Sequence, residues 1–123
     1  MANILVVEDD KLLGREIATA LTEGGHTVVW IKSSEEFEQA LLENAFSLIY
    51  LDIMLPGTKD GYALLKELKE MEDRKNIPVV MLSNLGQINE MQRAMDLGAM
   101  DYLIKANIDL DKLLDLTNNK FLK

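Results

Sequence analysis

Five short apolar runs recur along this chain of 123 residues, and none of them alternates with polar residues. They are rich in β-branched residues and cover 4–7, 28–31, 48–51, 79–82 and 102–104. Uninterrupted runs of this length are typical of strands that are covered on both faces, as in parallel sheets. The pattern therefore predicts five buried parallel strands.

Each run is followed by a stretch in which apolar residues recur at helical spacing. Gly24 and Gly25 indicate the end of the first helix. Asp60 indicates the start of the third helix, and Gly98 indicates the end of the fourth. The order is thus βα repeated five times, which implies a parallel sheet with helices on both faces, joined by right-handed crossovers.

Composition restricts the classes of function. A formal net charge of -8 argues against a general nucleic-acid binder, which needs a basic face to neutralise phosphates. The absence of cysteine excludes disulfides and thiol chemistry. No apolar run approaches membrane-spanning length and the amino terminus has no leader pattern, so we expect a soluble, cytoplasmic protein.

Polar residues follow four of the predicted strands at the point where each strand ends. They are Glu8-Asp9-Asp10, Asp52, Ser83-Asn84 and Lys105. In an open α/β sheet the carboxyl ends of the strands meet at one edge, where ligands bind at the switch point of strand order. A buried carboxylate is costly unless a partner compensates it, so this convergence points to a functional site.

Glu8, Asp9 and Asp52 would place three carboxylates in one crevice. Such a cluster either raises a pKa or recruits a cation. Ligands that are all oxygen, with no histidine or cysteine nearby, suit a hard ion such as Mg2+. With the ammonium of Lys105 and the hydroxyl of Ser83, the set contains what phosphoryl transfer to an aspartate needs.

Each of these residues alone has an ordinary structural explanation. A single aspartate at a strand end is usually a cap or a turn residue, and Asp10 fits a first-turn acid of the following helix. Ser83 alone would be a cap and Lys105 a surface charge. Their joint occurrence at one edge favours the functional interpretation.

Four segments of the chain resemble the response-regulator receiver domain of two-component signalling, in the CheY-like superfamily, over essentially the whole length. The segments are Val6-Val7-Glu8-Asp9-Asp10, 51–57 around Asp52, 78–83 ending at Ser83, and 98–105 ending at Lys105. The resemblance implies a doubly wound (βα)5 three-layer sandwich, with a flavodoxin-like parallel sheet of order 2-1-3-4-5. We expect a single receiver domain over residues 1–123, with no output domain present.

The resemblance assigns roles to the acidic residues. Asp52 would be the phosphoacceptor. Asp9 would bind Mg2+ directly and Glu8 partly through water, and Asp52 and the backbone carbonyl of Met54 would complete the protein ligands.

The remaining implied roles belong to three residues near the phosphoryl group. Ser83 would donate a hydrogen bond to a phosphoryl oxygen, and Lys105 would pair with Asp52 or its phosphate. Tyr102 matches the aromatic residue that turns inward as the serine moves. Family members usually have proline after the lysine, whereas Ala106 follows here, so we expect a trans bond and a reshaped loop.

The resemblance also implies partners. A sensor histidine kinase or a phosphotransfer protein would supply the phosphoryl group, and an unidentified protein target would read the surface of the fourth helix, fifth strand and fifth helix. We expect a monomer or a weak phosphorylation-dependent dimer without direct nucleic-acid or membrane contact. The chain would assist its own phosphorylation and dephosphorylation but would not be an enzyme.

Three other functions compete with this one. An aspartyl phosphatase of the haloacid-dehalogenase type needs a second aspartate two positions after the first, where this chain has Met54. A flavin-binding module needs a hydroxyl- and amide-rich phosphate loop after the first strand, where Glu8-Asp9-Asp10 would repel a phosphate. A receiver-like interaction domain that works without phosphorylation stays open because of Ala106.

Two further groups of residues are interpreted as structural. His26, the single histidine, starts the second strand and is predicted to be a surface or turn residue. Ile88, Met91, Met95 and Met100 belong to the region of the fourth helix and fifth strand, and core packing is the favoured interpretation for each. The alternative is that they leave apolar surface there for a partner.

Overall fold

The computed structural model describes residues 1–84 and 88–123. Its five strands are β1 (Asn3–Val7), β2 (Thr27–Ile31), β3 (Leu48–Asp52), β4 (Val79–Ser83) and β5 (Asp101–Ile104). Its five α-helices are α1 (Lys11–Glu23), α2 (Phe37–Glu43), α3 (Gly61–Lys69), α4 (Ile88–Asp96) and α5 (Leu110–Leu116). Short 3-10 turns precede α2 and follow β5, and a π-helical turn extends α5.

The strands form one sheet in the order β2-β1-β3-β4-β5, and every neighbouring pair is parallel. The predicted strand order and doubly wound topology are confirmed. Because β1 lies between β2 and β3, the strand order reverses there, and the crevice beyond the carboxyl ends of β1 and β3 is the expected ligand position.

The sheet separates two hydrophobic clusters, because successive side chains of a strand point to opposite faces. Leu5 and Val7 of β1 pack in the cluster shared with α2, α3 and α4. Ile4 and Val6 of the same strand pack in the cluster shared with α1 and α5. All four side chains are fully buried, so β1 is the centre of a three-layer sandwich.

Aspartates begin α1, α3 and α5 at the carboxyl edge of the sheet. The Asp10 carboxylate accepts hydrogen bonds from the backbone N–H groups of Leu12 and Leu13 and so caps α1. The Asp60 carboxylate accepts from the N–H of Ala63 and caps α3. A Cβ atom at Gly61 would overlap the backbone carbonyl of Asp52, so glycine there lets α3 start directly beside the end of β3.

The prediction that the apolar residues around α4 pack in the core was wrong for three of them. Ile88 is 80% exposed, Met95 is 42% exposed and Met100 is 40% exposed, while Met91 is half-buried. Within α4 only Ala94 is buried. Apolar spacing indicates that a helix has an apolar stripe, but it does not indicate how deeply the stripe enters the core.

The prediction that His26 is a surface or turn residue was also wrong. His26 is 6% exposed and lies at the amino end of β2. Its Nδ1 accepts a hydrogen bond from the backbone N–H of Ala2, and its Nε2 lies 2.7 Å from Oδ1 of Asn118. The ring therefore joins the chain before β1 to the turn that follows α5.

No helix within the described residues has both the length and the apolar character needed to span a membrane.

Candidate functional site

Asp52 is the last residue of β3 and is 1% exposed. Its Oδ1 accepts a hydrogen bond of 3.2 Å from the backbone N–H of Met54. Its Oδ2 lies 2.9 Å from Nζ of Lys105. The carboxylate predicted from the apolar strand is thus buried at the carboxyl edge beside a cation.

Glu8 follows β1 directly and its side chain is fully buried. Its Oε1 lies 2.7 Å from Nζ of Lys105, so one ammonium group bridges Glu8 and Asp52. Its Oε2 accepts a hydrogen bond of 3.0 Å from the backbone N–H of Asp10. Breaking a buried ion pair of this kind leaves an uncompensated charge, so the three groups depend on one another.

Asp9 completes a cluster of three carboxylates. Glu8, Asp9 and Asp52 each offer an oxygen atom, and these atoms lie within 4.8 Å of one another. Asp9 is exposed while Glu8 and Asp52 are buried, so Asp9 faces the solvent from which a cation would arrive. Three carboxylates and one ammonium leave two negative charges unbalanced, which a divalent cation would neutralise.

The donor set fits Mg2+. Among the described residues, Glu8 Oε1 and Asp52 Oδ2 are buried and have no hydrogen-bond partner apart from the Lys105 ammonium that faces them. Both oxygens therefore keep capacity to accept a second cationic partner. Carboxylate oxygens without a histidine or thiolate are the ligands that this ion prefers.

Burial raises the pKa of the Asp52 carboxyl to about 8. The Lys105 ammonium opposes this change, whereas the nearby Glu8 carboxylate adds to it. For Lys105, burial lowers the pKa, but the interactions with Glu8 and Asp52 outweigh burial and the pKa is raised overall. Two carboxylates compete for one ammonium, so without a metal ion the site tends to hold a proton on Asp52.

The other predicted residues border this cluster. Ser83 ends β4 and is 4% exposed, and Leu82 before it pairs with Asp52 across the sheet. Tyr102 of β5 is half-buried and packs on the cluster that contains α4. Met54 has an exposed side chain, and its backbone lies two residues beyond Asp52. Ser83 and Tyr102 therefore lie on the strands that flank the site on the α4 side.

Lys105 begins a 3-10 turn, Lys105–Asn107, directly after β5. Among the described residues there is no cis peptide bond, so the bond from Lys105 to Ala106 is trans, as predicted. The turn brings the lysine side chain back over the sheet edge, where it is 11% exposed.

Two residues on the β2 side, which the motifs did not reveal, form hydrogen bonds with backbone groups next to the site. Trp30 donates its indole N–H to the backbone carbonyl of Glu8 at 2.9 Å. Glu35 accepts a hydrogen bond from the backbone N–H of Thr58 in the loop between β3 and α3. The sequence did contain a signal for Trp30, because it is the one aromatic residue of the second apolar run and lies next to the end of that strand.

Most of the chain is similar to known proteins. The family model for the response regulator receiver domain matches residues 4–118. The response regulator protein FleR of Pseudomonas aeruginosa is 36% identical over 115 residues, which are 94% of this chain and 24% of FleR. The chain spans between about a quarter and a half of the length of the curated relatives it matches.

Solved structures give the same result. A putative response regulator from Chloroflexus aurantiacus superposes with a TM-score of 0.89 at 29% identity, covering 99% of this chain and 98% of that one. The BeF3-activated N-terminal receiver domain of RstA from Klebsiella pneumoniae superposes with a TM-score of 0.85 at 30% identity, covering 98% of each chain.

Proposed function

This chain belongs to the response regulator receiver domain family of two-component signal transduction, and from that premise we propose that it accepts a phosphoryl group on Asp52 with the help of Mg2+. The observation that carries the proposal is the buried carboxylate of Asp52, which shares one ammonium with Glu8 and has Asp9 beside it. A carboxylate held in this way is costly for folding, and its position at the switch point gives it access to a ligand.

Glu8, Asp9 and Asp52, together with the backbone carbonyl of Met54, would hold the metal ion. Mg2+ bound there would neutralise charge that develops on the transferred phosphoryl group. The buried Glu8 side chain already accepts from Asp10 and faces Lys105, so we expect it to act partly through water, while the exposed Asp9 binds directly.

In the proposed reaction an Asp52 oxygen attacks the phosphorus of a phosphohistidine on the partner protein. The new bond is O–P, the N–P bond breaks, and the imidazole nitrogen keeps the electron pair. Lys105 is already within ion-pair distance of Asp52 and would remain beside the acyl phosphate. Ser83, buried at the end of the neighbouring strand, would donate its hydroxyl to a phosphoryl oxygen, and Tyr102 would turn inward behind it.

The proposal extends to partners and context. A sensor histidine kinase or a phosphotransfer protein would be the donor, and a protein target would read the surface of α4, β5 and α5. The exposed Ile88 and Met95 supply apolar area on that surface. We propose that residues 1–123 form one receiver domain, that it works in the cytoplasm, and that it is a monomer or a weak dimer after phosphorylation.

Incubation with Mg2+ and acetyl phosphate, followed by intact-protein mass spectrometry, tests the proposal. We expect the wild type to gain one phosphoryl group and Asp52→Asn to gain none. Asp60→Asn is the matched control, because this exposed carboxylate caps α3 and we expect the variant to be phosphorylated as the wild type is. Failure of the wild type to gain the group would favour a receiver-like interaction domain that works without phosphorylation. Equal gain by Asp52→Asn would show that Asp52 is not the phosphoacceptor.

A further inference from the structure

Trp30 is the single tryptophan of the chain and lies near the carboxyl end of β2. Its indole N–H donates a hydrogen bond of 2.9 Å to the backbone carbonyl of Glu8. Trp30 is half-buried, so the indole lies against the strand end that carries the acidic residues rather than in the centre of the core.

The indole has two further neighbours, Gly14 and Lys32. It lies against Gly14 of α1 so closely that a Cβ atom at Gly14 would overlap the ring. Nζ of Lys32 lies 4.6 Å from the ring centroid on the solvent side, at a distance suited to a cation–π contact. The hydrogen bond to Glu8 is therefore made by a side chain that has little freedom to turn away.

Both backbone polar groups of Glu8 are bonded to β2, and one of them, the carbonyl, belongs to the peptide that joins Glu8 to Asp9. The backbone N–H of Glu8 donates to the carbonyl of Ile31 at 3.0 Å, and its carbonyl accepts from Trp30. The side chain of Glu8 is fixed separately by Lys105. Because the Glu8 carbonyl and the Asp9 nitrogen belong to the same planar peptide, a bond to that carbonyl also orients the backbone of Asp9.

We propose that Trp30 is a positioning residue for the divalent cation, acting through the Glu8–Asp9 peptide. Asp9 is exposed and its side chain makes no hydrogen bond with the described residues, so the backbone is the part of Asp9 that the fold holds in place. Groups that orient metal ligands raise metal affinity because the ligands lose less freedom on binding. This inference rests on the proposed function, since it assumes that Glu8 and Asp9 bind Mg2+.

The test is the Mg2+ affinity of purified variants, measured from backbone amide chemical shifts. We expect Trp30→Phe, which keeps an aromatic ring and removes the donor, to weaken Mg2+ binding by about three- to tenfold. Replacement of Trp30 by benzothienylalanine, in which sulfur takes the place of the indole N–H, keeps the packing on Gly14 and should weaken binding to the same extent.

Phe46→Leu is the control for a general loss of stability, because Phe46 is buried at the opposite end of the sheet. We expect this variant to unfold at a lower temperature and to bind Mg2+ as the wild type does. Equal Mg2+ affinity of the wild type and the benzothienylalanine protein would overturn the inference and leave the proposed function intact. Absence of Mg2+ binding by the wild type itself would instead contradict the metal site of the proposed function.

Discussion

Polar groups are buried at both ends of the sheet, but the two ends differ in the partners that these groups have. At the amino end, the His26 ring accepts from Ala2 and lies 2.7 Å from the side-chain oxygen of Asn118, so each ring nitrogen has a partner. At the carboxyl end, Glu8 and Asp52 share the single ammonium of Lys105. A cluster in which every polar atom has a hydrogen-bond partner stabilises a fold, whereas an excess of buried negative charge stabilises it only when a further cation binds.

This difference indicates which cluster serves folding and which serves function. Buried groups whose charge is not fully balanced, in a position open to a ligand, are characteristic of functional sites. We therefore expect changes at the amino end to affect stability alone. Changes at the carboxyl end should affect stability and phosphorylation in ways that depend on metal and pH.

The largest effect is expected for Lys105→Met. This change leaves two buried carboxylates facing each other, and we expect the metal-free protein to lose about 3 kcal/mol of unfolding free energy. Phosphorylation by acetyl phosphate should also slow strongly, because the cation beside the acceptor is gone. Urea unfolding and the rate of mass gain measure the two effects.

Lys120→Met is the control for this change, because Lys120 pairs with Asp101 at 3.0 Å but is 58% exposed. Exposed pairs contribute little, so we expect a change of at most about 1 kcal/mol and normal phosphorylation. Similar losses of unfolding free energy for both lysine variants would show that the buried contacts of Lys105 with Glu8 and Asp52 contribute no more than an exposed ion pair.

At the amino end, His26→Ala is expected to lower the unfolding free energy by about 2 kcal/mol, because it removes two hydrogen bonds and leaves a cavity. Asn118→Ala removes one partner and should cost about half as much. Both variants should be phosphorylated by acetyl phosphate at the wild-type rate at a temperature where they are folded. A slower rate of phosphorylation in either variant would contradict the expectation that changes at the amino end affect stability alone.

The pH dependence of stability gives a smaller and more specific test. Burial raises the pKa of Asp52 to about 8 in the folded protein, against 3.8 as its ordinary value. Between these values the folded state holds a proton that the unfolded state has lost, so stability falls as pH rises. The contribution of Asp52 is complete below pH ~4 and is lost through pH ~8, with a slope of at most about 1.4 kcal/mol per pH unit.

The difference between the wild type and Asp52→Asn isolates this contribution, because other carboxyls titrate equally in both proteins. Chemical unfolding of the metal-free proteins at a series of pH values should show that Asp52→Asn gains stability relative to the wild type from pH ~4 to ~8. A constant difference in unfolding free energy over that range would mean that folding does not raise the pKa of the Asp52 carboxyl.

The sequence was sufficient to predict the features that depend on the order of residues along the chain. The uninterrupted run before Ser83 predicted a buried strand, and Glu8, Asp52 and Lys105 were predicted to meet because each follows a strand of one parallel sheet. The trans bond after Lys105 was predicted from the intrinsic cost of a cis bond before a residue other than proline.

The features that were missed depend on contacts between distant elements. His26 is buried where Ala2, before β1, and Asn118, after α5, both approach its ring. Ile88 and Met95 are exposed because the placement of α4 on the sheet, rather than its periodicity, determines burial. Residue spacing along one element contains no information about such placements.

The most direct test of the account compares the unfolding free energies of the wild type and Asp52→Asn at pH ~8, with and without Mg2+. Without metal, we expect Asp52→Asn to be more stable by about 1–3 kcal/mol, because it removes the buried charge that Lys105 cannot fully balance. With Mg2+, the wild type should gain more stability than the variant, because ligand binding to the folded state stabilises it by mass action. Equal stability without metal and an equal response to Mg2+ would contradict the claim that Asp52 is held for a cation and a phosphoryl group rather than for the fold.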